Sequence, residues 1–271
     1  MEIRQGVTQL DVAVQQTSYL RDRLVVSSLF KVNKVTYVQS HHDRILLGGC
    51  ALRGGSLLLE APENFGANTL LTRRELGLVC LSGSVSIEVD QSSFKLDAED
   101  IIYISQGTQR IHISGTGDIY FSSSICHYPN PTTLVRKSEA ETIVIGDRAH
   151  SNERTLRKYI HENGAASSTM AMGITTIHEG SVWNTMPCHI HERRTEAYLY
   201  FDIPENEKVI HLMGESNQTR NIILDNKEAI ISPAWSIHTG AGTSNYKFVW
   251  STAGENVTYT DFVPVPTSSL T

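Results

Sequence analysis

"RRELGLVCLSGS" at residues 73–84 and "RRTEAYLYFDIP" at 193–204 read as one strand written twice: paired arginines, a glutamate, an apolar run and a turn. A second echo follows each copy, "DIIYISQGTQRIHISG" at 100–115 and "EAIISPAWSIHTGAG" at 228–242. Two echoes at similar offsets, roughly 120 to 130 residues, mark one structural unit used more than once. Between the copies, "YPNPTTLVRKSEAET" (128–142) interrupts the strand pattern with two prolines, as a linker does.

The units are built of strands. In "GSVSIEVDQSSF" the residues Val85, Ile87 and Val89 alternate onto one face, and "DIIYIS", "DIYFSSSI", "MAMGITTI", "EAYLYF", "KVIHLM", "RNIILD", "EAIIS" and "YKFVWST" are further short apolar runs separated by turn residues. Helix is scarce; the clearest candidate is "SNERTLRKYI", where Ser151 or Asn152 would cap a helix beginning at Glu153. The expectation is an all-β protein of two tandem jelly-roll barrels, residues 1–145 and 146–271.

The chain has 271 residues, enough for two cores, and its 40% apolar and 19% charged content is that of a folded protein. A net charge of −6 without a basic run speaks against nucleic-acid binding, and no stretch has the length of a membrane span. "MEIRQGVTQLDVAVQQTSYL" lacks the apolar core of a signal peptide, so a cytoplasmic protein with a small-molecule partner is expected. Cys50, Cys80, Cys126 and Cys188 form no C-x-x-C pair and read as reduced, buried thiols.

Chemistry concentrates in "HIHERRTE" (189–196). On a strand, residues two apart share a side, so His189 and His191 project together while Cys188 and Ile190 face away. By the same parity Glu196, Tyr198 and Tyr200 share one face of the next strand, with "ERRT" as the turn between. Two imidazoles and a carboxylate are the donor set of a divalent metal, and "ISPAWSIHTGAG" supplies His238 as the fourth ligand. "SHHDRILLGG" offers His41 and His42 beside Asp43, but adjacent histidines on a strand diverge, which argues against a second metal site.

The spacing H-x-H-x4-E, preceded by Gly180, and the proline-containing turn before His238 resemble the two motifs of the cupin superfamily. The longer stretches "VWNTMPCHIHERR", "ISPAWSIHTGAGT" and "SHHDRILLGG" resemble the KduI family, the 4-deoxy-L-threo-5-hexosulose-uronate ketol-isomerases, with a likeness from "RQGV" (4–7) to "GENV" (254–257). The resemblance implies a bicupin fold, one zinc ion per subunit held by His189, His191, Glu196 and His238, a hexamer, and a role in the catabolism of pectin-type uronates. It implies conversion of 5-dehydro-4-deoxy-D-glucuronate to 3-deoxy-D-glycero-2,5-hexodiulosonate. In the first unit Glu75 aligns with Glu196, but "ANTLLTRRE" brings no histidine pair, so that unit is expected to lack metal.

A 1,2 proton transfer through an enediol needs a Lewis acid and a proton carrier. Tyr198 and His211 are the candidates for the carrier, with Tyr200 and a metal-bound hydroxide as alternatives. The substrate carboxylate calls for a cation, and Arg193 and Arg194 stand beside the metal motif, with Lys158 and Arg73 as further choices. Trp235 is the preferred wall of a sugar pocket, ahead of Trp183 and Trp250. Three rival readings are 5-deoxyglucuronate isomerase of inositol catabolism, an iron-dependent cupin dioxygenase, and a sugar-binding cupin without turnover.

Overall fold

Alternating apolar residues give strands wherever two cores must be served at once, and that is how most of this chain is organised. A computed structural model describes residues 1–255 and 258–271; Asn256 and Val257, the end of the "GENV" stretch, lie outside the described residues. Among the described residues the first half forms an eight-stranded sheet dominated by three long antiparallel strands, Leu46–Leu58, Arg74–Val89 and Ile111–Ile125. The second half forms a seven-stranded sheet and a four-stranded sheet, the latter built from Trp183–Asn184, Ile237–Gly242, Val209–Glu215 and Gln218–Leu224. The architecture is all-β, with helix confined to two short segments and two single turns among the described residues.

Side-chain parity sorts the strands into three cores. Along Arg194–Phe201, the residues Ala197, Leu199 and Phe201 join a core shared with Val79, Tyr103 and Tyr120 of the first half. Their alternates Tyr198 and Tyr200 face the interior of the second half with Phe248 and Trp250. A third core, including Leu76, Leu78 and Phe121, fills the first half. The two halves therefore share a core where the outer faces of their long sheets meet. A Cβ on Gly77 would press on the Met172 and Ile160 side chains at this junction, so glycine lets the two sheets approach closely there.

Two chain segments cross the expected division. Val25–Val26 adds to Ala229–Ser232 at one edge of the seven-stranded sheet, and Glu141–Ile145 adds to Arg154–Ile160 at the other. The helices Gln9–Val14 and Thr17–Leu24 accompany the first crossing and bury Val12, Leu20 and Leu24 in the core of the second half. The first helix is started by a capping box in which Thr8 and Asp11 each accept from the other's backbone N–H.

The helix expected at "SNERTLRKYI" is instead the strand Arg154–Ile160. The capping signal belongs to Asp147, whose side chain accepts from His150 N and starts the single turn Arg148–His150. Beyond it the backbone is claimed by two ladders, to Glu141–Ile145 and Met172–Ile177, which outweigh local helix preference. No helix of the described residues is long and apolar enough to cross a membrane. The four cysteines are unpaired and buried.

Candidate metal centre

His189 and Ile190 form a two-residue strand against Val263–Pro264, and His191 follows it with its N–H bonded to the Ala234 carbonyl. Glu196 enters from Arg194–Phe201, and His238 from Ile237–Gly242. One donor atom from each of His189, His191, Glu196 and His238 falls within 4.8 Å of the others. The Nε2 atoms of His189 and His191 are 3.2 Å apart, and those of His238 and His189 3.1 Å. Glu196 Oε2 lies 2.7 Å from His191 Nε2 and 3.1 Å from His238 Nε2. A tetrahedral ion with bonds of roughly 2.0–2.1 Å spaces its ligands by about 3.3 Å, so the cluster needs little adjustment to fit one.

The ring orientations fit a metal as well. His191 Nδ1 lies 3.2 Å from the Asp261 carbonyl and His238 Nδ1 3.3 Å from the Ser236 carbonyl. Donating Nδ1–H to a carbonyl leaves an Nε2 lone pair turned to the centre, the arrangement that a metal-bound histidine requires. Burial, reinforced by His238 and His191, lowers the His189 pKa to about 2, so its imidazole is neutral. Burial alone would raise Glu196, but His238 and His191 outweigh it and hold the carboxyl well below the usual range. Three imidazole nitrogens and one carboxylate thus converge in a largely buried site.

The cluster faces a cavity of about 280 Å³. Tyr198, Phe248, Trp250, Tyr259 and Phe262 give it apolar walls, with Thr185, Arg154 and Arg194 among its polar groups. Trp250 lies flat on the sheet because its neighbour is Gly173, where a Cβ would meet the indole ring. Tyr198 Oη is 3.0 Å from Thr185 Oγ1, and its ring centroid is 5.6 Å from that of His238. Burial foremost, and then the Glu196 carboxylate, raise the Tyr198 pKa well above that of an ordinary phenol, so the hydroxyl keeps its proton.

The other sequence candidates are distributed differently. His211 is fully buried behind the cavity wall, with Nδ1 2.8 Å from Tyr200 Oη, and does not line the cavity. Tyr200 is likewise set back, against Tyr246 and Asn184. Arg194 lines the cavity from within its strand rather than from a solvated turn, and donates to the Thr258 and Tyr259 carbonyls at 2.9 and 3.2 Å. Arg193 lies outside, in a groove with His41, Asp43 and Glu192, 3.9 Å from the Glu255 carboxylate. Trp235 packs against the apolar core and not on the cavity; Trp250 and Tyr259 form that wall instead. Lys158 is paired with Glu141 at 2.6 Å, and Arg73 sits in a separate groove with Arg44 and Arg74.

Sequence reasoning missed Arg154 and Tyr259. Reading residues 153–160 as a helix concealed that Arg154 heads a strand at the cavity, and Tyr259 sits in a tail with no periodicity to mark it. It also missed Asp43, whose Oδ2 accepts from Thr195 N at 2.7 Å, beside Glu196.

The KduI/IolB family model matches residues 24–267. A 4-deoxy-L-threo-5-hexosulose-uronate ketol-isomerase of Caldicellulosiruptor bescii is 39% identical over 275 residues, covering all of both chains. A protein of the same name from Bacillus subtilis is 40% identical over 274 residues, again covering all of both. Among solved structures, an IolB-like protein of Salmonella typhimurium superposes with a TM-score of 0.71 at 14% identity, covering 89% of this chain and 96% of that one. An oxalate decarboxylase of Lactobacillus farciminis gives 0.63 at 9% identity, covering 89% and 88%. The two superpositions establish a cupin-like fold. With the family model spanning nine-tenths of the sequence and relatives alike from end to end, the chain belongs to the KduI/IolB family.

Proposed function

We propose that this protein is a metal-dependent ketol-isomerase that converts 5-dehydro-4-deoxy-D-glucuronate to 3-deoxy-D-glycero-2,5-hexodiulosonate in pectin or uronate catabolism. The observation that carries the reading is the convergence of His189, His191, Glu196 and His238 beside a small cavity that the first three of them line. End-to-end similarity to proteins named as uronate ketol-isomerases supports the choice of reaction. The same four residues would hold the ion, and zinc suits three imidazoles and one carboxylate. A bound divalent ion supplies Lewis acidity toward the sugar's carbonyl and hydroxyl oxygens.

The reaction moves a proton from C2 to C1 while the C1 aldehyde becomes a hydroxyl and the C2 hydroxyl a ketone. Tyr198 is a cavity-lining phenol whose ring lies beside that of His238, and it is assigned to carry or steer that proton. His211 supports it at one remove, by fixing Tyr200 against the back of the same wall. Phe248, Trp250 and Tyr259 exclude bulk water, which strengthens polar interactions within the cavity. A cytoplasmic location and a hexameric assembly belong to the same proposal, the former supported by unpaired buried cysteines.

Metal analysis of the purified protein, combined with an NMR assay of product formation, tests the reading. Stoichiometric zinc and conversion of the uronate aldehyde to the 2-ketone are expected. Turnover of 5-deoxyglucuronate alone would move the assignment to that isomerase, and oxygen uptake with an iron-loaded protein would move it to a dioxygenase.

A further inference from the structure

We infer that Arg154 is the anchor for the substrate's carboxylate and the residue that restricts the cavity to sugar acids. The inference rests on the isomerase reading for the identity of the acid, but its geometry is independent of it. Arg154 heads the strand Arg154–Ile160 and lines the same cavity as His189, His191 and Glu196. Its hydrogen bond is from Nη1 to the Asn152 carbonyl at 2.8 Å. Among the described residues no carboxylate comes within ion-pairing distance of it.

Other sequestered cations have either a carboxylate partner or more than one carbonyl; Arg74, for example, donates to the Ser123 and Arg44 carbonyls. Lys158 is paired with Glu141, and Lys247 with Glu99 and Asp202. Arg194, the second arginine on the cavity, is held by the carbonyls of Thr258 and Tyr259. Arg154 instead shares the cavity lining with the phenols Tyr198 and Tyr259. Burial lowers its pKa from the ordinary arginine value, yet a guanidinium stays charged across the physiological range. A cation taken from water without a counter-charge is costly, and it persists where a ligand supplies the missing charge. A planar fork with most of its five donors uncommitted matches a carboxylate held through two parallel hydrogen bonds.

Size and polarity agree with this role. The cavity, about 280 Å³, is near the small end for ligand pockets and suits a single sugar acid rather than an oligosaccharide. The metal cluster can receive the carbonyl end while Arg154 receives the acid end, with Tyr198 lining the same cavity and its ring centroid 5.6 Å from that of His238. An open-chain uronate has its carbonyl at one end and its carboxylate at the other.

Arg154→Met and Arg154→Lys, compared with the wild type, test the inference. None of the four metal donors is touched, so zinc content is expected to be unchanged. For the uronate, kcat/KM is expected to fall about a hundredfold in Arg154→Met, mainly through KM, with a smaller fall in Arg154→Lys. The wild type's preference for the acid over its primary amide is expected to collapse toward unity in Arg154→Met. A retained acid-to-amide preference in Arg154→Met would overturn the anchor while leaving the isomerase reading intact. Calorimetric binding of D-glucuronate against D-glucose separates the opposite case. If the wild type isomerises nothing but binds the acid in an Arg154-dependent way, the anchor stands and the isomerase reading falls; equal binding of acid and neutral sugar removes the anchor. Should Arg154→Met fail to fold, Arg154→Lys and Arg154→Gln carry the same preference measurement.

Discussion

Glu75 and Glu196 occupy matching places in the repeated strand but turn to opposite faces of it. Glu196 shares parity with Tyr198 and Tyr200 and enters the cavity, whereas Glu75 shares parity with Gly77 and Val79 and enters the junction between the halves. The first copy reads R-R-E and the second R-R-T-E, and a slip of one residue reverses every side chain of a strand. Glu75 is then fully employed: its carboxylate accepts from Ser168 N, Thr169 N, Met170 N, Tyr103 Oη, Ser124 Oγ and Thr169 Oγ1.

The two glutamates should therefore fail in different ways. Glu75→Ala leaves three backbone N–H groups of the segment entering the second half without acceptors, and is expected to destabilise the fold by about 3–5 kcal/mol. Metal content in the folded protein should be unaffected. Glu196→Ala should keep the fold, lose the metal and lose more than about a hundredfold in activity. Urea unfolding and elemental analysis of both variants check the pair; loss of metal from Glu75→Ala at full stability would contradict the assignment.

Asp43 explains part of "SHHDRILLGG" that ligand counting could not. The motif is at the junction, where Asp43 Oδ2 accepts from Thr195 N while His42 Nε2 accepts from Val7 N at 3.0 Å. Fixing the residue before Glu196 orients a metal donor from outside the cluster. Asp43→Ala is expected to weaken metal affinity roughly 10- to 100-fold, with the four donors in place. Competition against a chelator of known affinity measures it, and an unchanged dissociation constant would remove Asp43 from the site.

What the sequence revealed and what it hid have the same physical origin. Parity put Glu196 and Tyr198 on one face of Arg194–Phe201, and both line the cavity, because their alternates Ala197, Leu199 and Phe201 are taken up by the junction core. His238 was legible from the turn that precedes it. In Arg154–Ile160 both faces are covered, so Leu156, Tyr159 and Ile160 imitate helical spacing although they enter two different cores. That false period hid Arg154. The N-terminal crossing carried only its Thr8–Asp11 capping box as a signal, because short helices packed on a distant sheet leave little periodicity.

Acid should loosen the junction before it unfolds either half. Glu99 is paired with Lys247 and Lys137, and Asp118 with Lys227 and Arg53, so Lys247 and Lys227 tie the second half to the first. Burial alone would raise both carboxyls, but these cations outweigh it and lower them below their ordinary values. The stability they provide is complete above the ordinary carboxylate range and is lost as pH falls through the depressed values. Urea midpoints followed downward from pH 6 should fall below about pH 4, with a shallower acid dependence in Glu99→Gln/Asp118→Asn. Parallel pH profiles for that double variant and the wild type would show that the junction pairs are not involved.

Tyr198 gives the sharpest test of the chemistry inside the cavity. Among the described residues its hydroxyl has one partner, Thr185 Oγ1, and its ring packs against His238 on one side and His211 on another. Tyr198→Phe keeps the ring and its contacts with Phe248 and His238 while deleting the hydroxyl. If that hydroxyl carries or steers the proton, kcat should fall about 10²- to 10⁴-fold with KM and zinc content nearly unchanged. His211→Asn should act more weakly, because His211 does not line the cavity and touches Tyr200 and Tyr198 from behind it. Exchange of the C2 proton with deuterated solvent, followed by NMR, separates a lost proton carrier from a lost binding contact: exchange should disappear in Tyr198→Phe even with substrate saturating. Wild-type exchange and kcat in that variant would assign the proton to another group.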